Sequence, residues 1–173
     1  MKLSAEELLL DWYNRVRFAQ FAHYETAKTY DRLNYWLGVP VVILSTLVGT
    51  SVFANIGKLV DEKIQISIGL TSVLAATLAS LQTFFRFSEK AEKHRISASK
   101  YGALRREIEE DLVSLEGFDR DEVKKVTEMI RHKLDKLSDE SLHIPHNIWS
   151  KRQKVIEDDH NRFVGLLGDK IRE

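Results

Sequence analysis

Residues 33–57 read LNYWLGVPVVILSTLVGTSVFANIG, residues 58–63 read KLVDEK, and residues 64–85 read IQISIGLTSVLAATLASLQTFF. Across 33–85 the only charges are Lys58, Asp61, Glu62 and Lys63, all in the short middle segment. A helix rises about 1.5 Å per residue, so about 20 apolar residues cross the roughly 30 Å hydrocarbon core of a bilayer. Both uncharged runs exceed that length. They predict two transmembrane helices, 33–57 and 64–85, with 58–63 as a short extracytoplasmic loop that makes the pair an antiparallel hairpin. The competing reading is a hairpin buried in a soluble bundle. It would require the remaining amphipathic sequence to cover both helices on every side.

Outside the hairpin the composition reverses. The chain has 173 residues, 43% hydrophobic and 30% charged, with 26 basic and 26 acidic side chains and a formal net charge of zero. Neutrality gives no whole-molecule field that would attract nucleic acid. Two Pro and eight Gly leave long helices uninterrupted, so the predicted class is all-α. The absence of Cys excludes disulfides, thiolate metal sites and a Cys nucleophile, and fits a reducing compartment. The opening Met1-Lys-Leu-Ser-Ala-Glu-Glu7 is not of signal-peptide type, since its acids come early and no apolar core with a cleavage site follows.

Basic residues near the runs set the expected orientation. Lys2, Arg15, Arg17, Lys28 and Arg32 precede the first. Arg86, Lys90, Lys93, Arg95, Lys100, Arg105 and Arg106 follow the second, against only Lys58 and Lys63 in the loop. Both termini are expected in the cytoplasm, with residues 1–32 and 86–173 forming the cytoplasmic part. Tyr35 and Trp36 open the first run, and Phe84, Phe85 and Phe87 close the second, where an interfacial aromatic belt belongs.

At about 100° per residue the second run divides into two faces. Gln65, Gly69, Ser72, Ala76, Ala79, Ser80 and Thr83 share one, and Leu70, Leu74, Leu78, Leu81 and Phe85 share the other. The leucine face suits lipid. The small, hydroxyl-bearing face suits either close helix packing or a wet lumen. In the first run Gly38, Ser45 and Gly49 predict a seam for a neighbouring helix. One hairpin cannot enclose a channel, so a pore requires an oligomer, most simply a symmetric one.

In the flanking sequence, Ser4 and Glu7 form a capping box that starts a helix leading into the first run. Arg17, Phe21, Tyr24, Lys28 and Arg32 share one side of it. Cations interleaved with aromatics suit a ligand bearing phosphate and bases, or more simply lipid headgroups and neighbouring helices. After the second run the helix is expected to continue unbroken to about Glu116. It carries a heptad seam of Phe87, Ala91, His94, Ala98, Tyr101, Ile108, Leu112 and Leu115. His94 on that seam reads as a satisfied core residue or a proton-sensitive switch. Gly117 ends the helix, Asp119 with Glu122 caps a new one over 119–137, and a last helix is predicted over 149–170.

Catalytic signatures are missing. There is no Walker loop, no dinucleotide-binding glycine turn and no His-Glu-x-x-His. His143 and His146 flank Pro145 without a third ligand at metal-site spacing, and Glu89, Glu92 and Glu107 lack a di-iron pattern. No nucleophile, base and oxyanion site converge, so neither an enzyme nor a cofactor is expected.

Several stretches resemble a known family. They are Tyr30-Asp-Arg32-Leu-Asn34, Leu37-Gly38-Val-Pro40, Leu81-Gln82-Thr-Phe84-Phe85-Arg-Phe87-Ser-Glu89-Lys-Ala91-Glu92-Lys-His94, and Tyr101-Gly-Ala-Leu104-Arg105-Arg106-Glu107-Ile108-Glu109. In this order around two closely spaced apolar runs, they resemble the SLATT family of bacterial two-transmembrane effector domains, over roughly residues 10–170. The resemblance implies a pore-forming effector of anti-phage defence in the inner membrane, paired with a nucleotidyltransferase and controlled by a nucleotide or oligonucleotide ligand, as in Hailong-type systems. No sensor domain is legible in these residues, so control is expected from a partner or ligand at the cytoplasmic helices, with the Arg17–Arg32 stripe as candidate site. The alternative is a non-conducting membrane anchor or scaffold for a cytoplasmic partner.

Overall fold

A computed structural model describes residues 4–57 and 59–149. The helix predicted over 149–170, with Val155, Ile156, Phe163, Leu166 and Leu167, falls almost wholly outside these residues, as do Lys2 and Lys58. Among the described residues every regular element is helical: α1 Ala5–Ala54, α2 Glu62–Phe85, α3 Phe87–Ser114, a 3-10 turn Leu115–Gly117, and α4 Arg120–Glu140.

The capping chemistry matches the sequence. Ser4 N–H donates to Glu7 Oε2 at 2.8 Å while Glu7 N–H donates to Ser4 Oγ at 3.1 Å. The same reciprocal pair joins Asp119 and Glu122 at the start of α4. Asp61 caps α2 by accepting from Lys63 N–H. Pro40 lies inside α1 without ending it. The turn after α1 uses Gly57 at φ +76°, a conformation in which a Cβ would be strained.

Contacts divide the described residues into two compact units, one of 4–27 with 93–149 and one of 28–57 with 59–92. In the first, the start of α1, most of α3 and α4 pack around Leu9, Val16, Tyr101, Leu104, Ile108, Ile130 and Leu137. The predicted seam on α3 is buried from Ala91 to Ile108, with Phe87 at its start and Leu112 and Leu115 at its end half-buried. Residues 141–149 return against α1, where Ile144 and Ile148 bury Ala22 and Trp149 stacks on Phe18 with ring centroids 5.9 Å apart. Lys100 meets Glu140 at 2.9 Å and Lys133 pairs with Glu107, tying α3 to α4.

In the second unit, the apolar parts of α1 and α2 form the hairpin. Both helices are long and apolar enough to cross a membrane, and their most apolar windows are 0% and 6% buried. Trp36, Phe53, Leu70, Val73 and Phe84 are each more than three-fifths exposed. So large an apolar surface needs a non-aqueous surrounding, against the reading of a hairpin buried in a soluble bundle.

The expectation of one unbroken helix from the second run to about Glu116 is corrected at a single residue. Arg86 adopts a left-handed conformation, φ 48° and ψ 45°, and separates α2 from α3. The hydrogen-bond ladder closes on both sides of it, Arg86 N–H to the Gln82 carbonyl and Lys90 N–H to the Arg86 carbonyl. On a regular helix residues two apart point to opposite sides. With the left-handed residue between them, Phe85 and Phe87 stack at 5.1 Å, and Phe87 stacks in turn on Tyr30 at 6.0 Å.

Candidate functional site

The two runs meet along a narrow seam. On α2 it consists of the buried Ala75 with the half-buried Ile68, Thr71, Leu78 and Gln82; on α1 it consists of Asn34, Gly38, Val41, Leu44 and Val48. Gln82 crosses the interface. Its Nε2 lies 3.4 Å from Asn34 Oδ1, and a Cβ on Gly38 would stand 3.0 Å from that nitrogen. Gly38 is thus the position where an added side chain would press on the Gln82 amide. Of the predicted Gly38–Ser45–Gly49 stripe, Gly38 alone meets α2: Ser45 is exposed and Gly49 has nothing within 4 Å of where a Cβ would be.

The seam separates the two faces of α2 and takes the half-buried Leu78 from the edge of the leucine face, where the sequence pattern places it toward lipid. It lies about a quarter turn from the leucine face and about a quarter turn from the small polar face, at about 100° per residue. Gln65, Gly69, Ala76, Ser80 and Thr83 are exposed, and only Ser72 and Ala79, at the edge nearer the seam, are half-buried. The hairpin therefore does not consume the polar stripe.

The hydroxyls on the stripe are self-sufficient donors. Ser72 Oγ donates to the Ile68 carbonyl at 2.8 Å, Ser80 Oγ to Ala76 at 2.8 Å and Thr83 Oγ1 to Ala79 at 3.1 Å. Back-bonding of this kind lets Ser and Thr sit at membrane depth without an orphan proton, while the oxygen lone pairs still face outward. At the loop end the hairpin opens into a cleft between Leu47, Val48 and Ser51 of α1 and Ile64, Ser67 and Ile68 of α2.

The predicted ligand residues Arg17, Phe21, Tyr24, Lys28 and Arg32 are all exposed on α1. Phe21 is 43% and Tyr24 39% exposed, opposite the buried Val16, His23, Thr26 and Ala27. Within the first unit, Arg17, Phe21 and Tyr24 thus present a cation and two ring faces to the outside. Lys28 and Arg32 continue the sequence pattern in the second unit.

Two arrangements escaped the sequence. Lys90 Nζ sits 5.9 Å from the ring centroids of both Tyr30 and Phe87, a cation over an aromatic pair. His94 pairs with His23, Nδ1 to Nδ1 at 2.8 Å, and both are 1% exposed. The spacing Leu9–Val16–His23, one heptad each, was the signal that could have placed His23 in the core. His143 and His146 are exposed, and among the described residues no three His, Cys, Asp or Glu side chains gather as metal ligands.

Comparison with known families matches residues 5–162 to the SMODS and SLOG-associating 2TM effector domain, family 4. The chain belongs to the SLATT family. This SLATT domain is a two-transmembrane effector domain, and the family's description ties it to SMODS, the nucleotidyltransferase of such systems. No curated protein and no solved structure matches it.

Proposed function

We propose that this SLATT domain is a pore-forming effector of bacterial anti-phage defence. It assembles as a cyclic homo-oligomer in the inner membrane, with both termini in the cytoplasm and α2 lining the pore through Gln65, Gly69, Ser72, Ala76, Ala79, Ser80 and Thr83. A nucleotide or oligonucleotide from a partner nucleotidyltransferase gates it at Arg17, Phe21, Tyr24, Lys28 and Arg32, and opening depolarises the cell.

The observation that carries this reading is the small polar stripe, which stays outside the hairpin seam while the leucine face opposite it suits lipid. A lone hairpin would leave that stripe facing hydrocarbon, whereas a ring of hairpins turns it inward. The exposed Tyr35 and Trp36, where α1 enters the hairpin, and Phe84, where α2 leaves it, lie at the same cytoplasmic end and supply an interfacial belt there.

The second reading is a non-conducting scaffold, favoured by one observation: the stripe hydroxyls already bond within their own helix, so the stripe could pack dry against a second hairpin. Membrane potential followed with a voltage-sensitive dye, in cells expressing the chain with its nucleotidyltransferase, separates the two. Ser72→Leu with Ser80→Leu should abolish depolarisation while crosslinked oligomers persist. Oligomers without conductance under every ligand condition would establish the scaffold instead.

A further inference from the structure

The first unit holds a buried pair of imidazoles that the proposed conduction and ligand recognition leave unused. His23 on α1 and His94 on α3 face each other, Nδ1 to Nδ1 at 2.8 Å, with ring centroids 5.0 Å apart. Tyr101 stacks on the other side of His23 at 5.4 Å. All three rings are at least 95% buried.

The contact requires opposite tautomers. One ring donates Nδ1–H and the other accepts at a bare Nδ1, which places its proton on Nε2. Two neutral rings satisfy the bond. One added proton keeps the bond but leaves a cation in a nearly dry site. A second sets two N–H donors against each other at contact distance.

Beside the pair lies the Tyr101 phenol ring, stacked on His23. One turn away on α1 lie Ala19, Gln20, Thr26 and Ala27, while Glu25, two residues on, points to another side of the helix. On α3 the inward neighbours are Ala91, Ser97 and Ala98; Lys93 and Arg95 are exposed, and Lys90 reaches over Tyr30 and Phe87. The α4 face toward this core is Ile130, Leu134 and Leu137. Residues 141–149 bring Ile144 and Ile148 against Ala22, with His143 and His146 turned outward.

We propose that His23 and His94 form a proton-sensitive latch that holds α1 to α3 while both rings are neutral and releases them when the pair takes up protons. The latch goes beyond the channel reading and stands on the geometry of this unit alone, so it holds whether or not the hairpin conducts.

Burial, and after it the neighbouring imidazole, push His23 from 6.5 down to about 4, and burial lowers His94 as well. The opened state therefore binds more protons than the closed state. The pair's contribution is complete above pH 6.5 and is lost as pH falls through the window toward 4. Each histidine that gains a proton on opening multiplies the opening constant by about ten per pH unit. Acidification of the compartment holding this unit would then loosen the α1–α3 contact.

Amide hydrogen exchange on the full chain in lipid nanodiscs, corrected for intrinsic rates and followed from pH 7.5 to 5, tests the latch. Protection in residues 16–27 and 93–104 should fall below pH 6.5 with a slope that steepens toward about tenfold per pH unit for each histidine titrated, and the double variant His23→Gln with His94→Gln should remove that slope. Flat wild-type protection, or the same slope in the variant, would overturn the latch. Should the variant not fold, histidine ring signals of the wild-type chain decide: the two buried rings must stay neutral below pH 6.5 and change together as protection is lost. Either ring protonating near pH 6.5 with protection intact would refute the latch.

Discussion

Phe85 and Phe87 stack with ring centroids 5.1 Å apart although only Arg86 separates them in sequence. A right-handed residue at 86 would send the two rings to opposite sides of one helix. The left-handed Arg86 costs about 1–2 kcal/mol of backbone energy. The run Phe84 on Phe85, Phe85 on Phe87 and Phe87 on Tyr30 offsets it, since each aromatic pair contributes about 0.5–1.5 kcal/mol beyond simple burial.

Arg86→Gly should therefore keep the helical content and raise the thermal midpoint, because glycine adopts φ 48° freely. Phe87→Leu should lower it, with a loss of about 1 kcal/mol or more. Both are read by circular dichroism melting in detergent. A destabilised Arg86→Gly chain would show that the left-handed turn is not strained.

The Gln82–Asn34 clasp predicts a different pattern. Interhelical hydrogen bonds in bilayers average about 0.6 kcal/mol, so Gln82→Leu or Asn34→Leu alone should weaken the hairpin only slightly. Gly38→Val should cost more, because its added atoms displace the Gln82 amide from Asn34 and also crowd the seam. Steric trapping or SDS unfolding in bicelles measures the difference. Equal losses in all three variants would mean that the close approach at Gly38 does not hold the hairpin.

Asp119→Ala removes one half of the capping box of α4 and leaves the Glu122 N–H without its partner. The first unit should lose about 1 kcal/mol. The effect should be rescued by Asp119→Ser and not by Asp119→Leu, as read from the denaturation midpoint.

For the proposed ligand stripe, Arg17→Ala and Lys28→Ala should weaken oligonucleotide binding and flatten its salt dependence, since each removes a phosphate contact. Phe21→Ala and Tyr24→Ala should weaken binding by about 1–3 kcal/mol each where a base stacks, with the salt slope unchanged. Fluorescence anisotropy against salt separates the two classes. Identical behaviour of all four variants would remove this stripe as the binding surface.

Much of the architecture is legible in residue order. The uncharged runs 33–57 and 64–85 define the hairpin because no water-facing side could be built from them. The capping pairs Ser4–Glu7 and Asp119–Glu122 mark helix starts because their chemistry is local. The heptad Ala91–His94–Ala98–Tyr101–Ile108 shows which side of α3 is inward. Of the glycine stripe on the first run only Gly38 meets α2, because small residues permit close approach without requiring it. The break at Arg86 was invisible, since an arginine carries no turn signal and the reason for its conformation lies in the rings of Phe85, Phe87 and Tyr30.

The sequence by itself determined what depends on periodicity and transfer from water: two apolar helices, the amphipathic helices around them, and which residues share a face. The tertiary structure alone decided which faces are used. It placed the α2 seam on Ile68, Thr71, Ala75 and Gln82, leaving the Ser72–Ser80 stripe outside the hairpin, and it brought His23 within 2.8 Å of His94 from 71 residues away. Periodicity states a side chain's direction on its own helix. The partner it meets depends on the rotation and separation of two helices, which are set by the summed packing of many residues and by no single one of them.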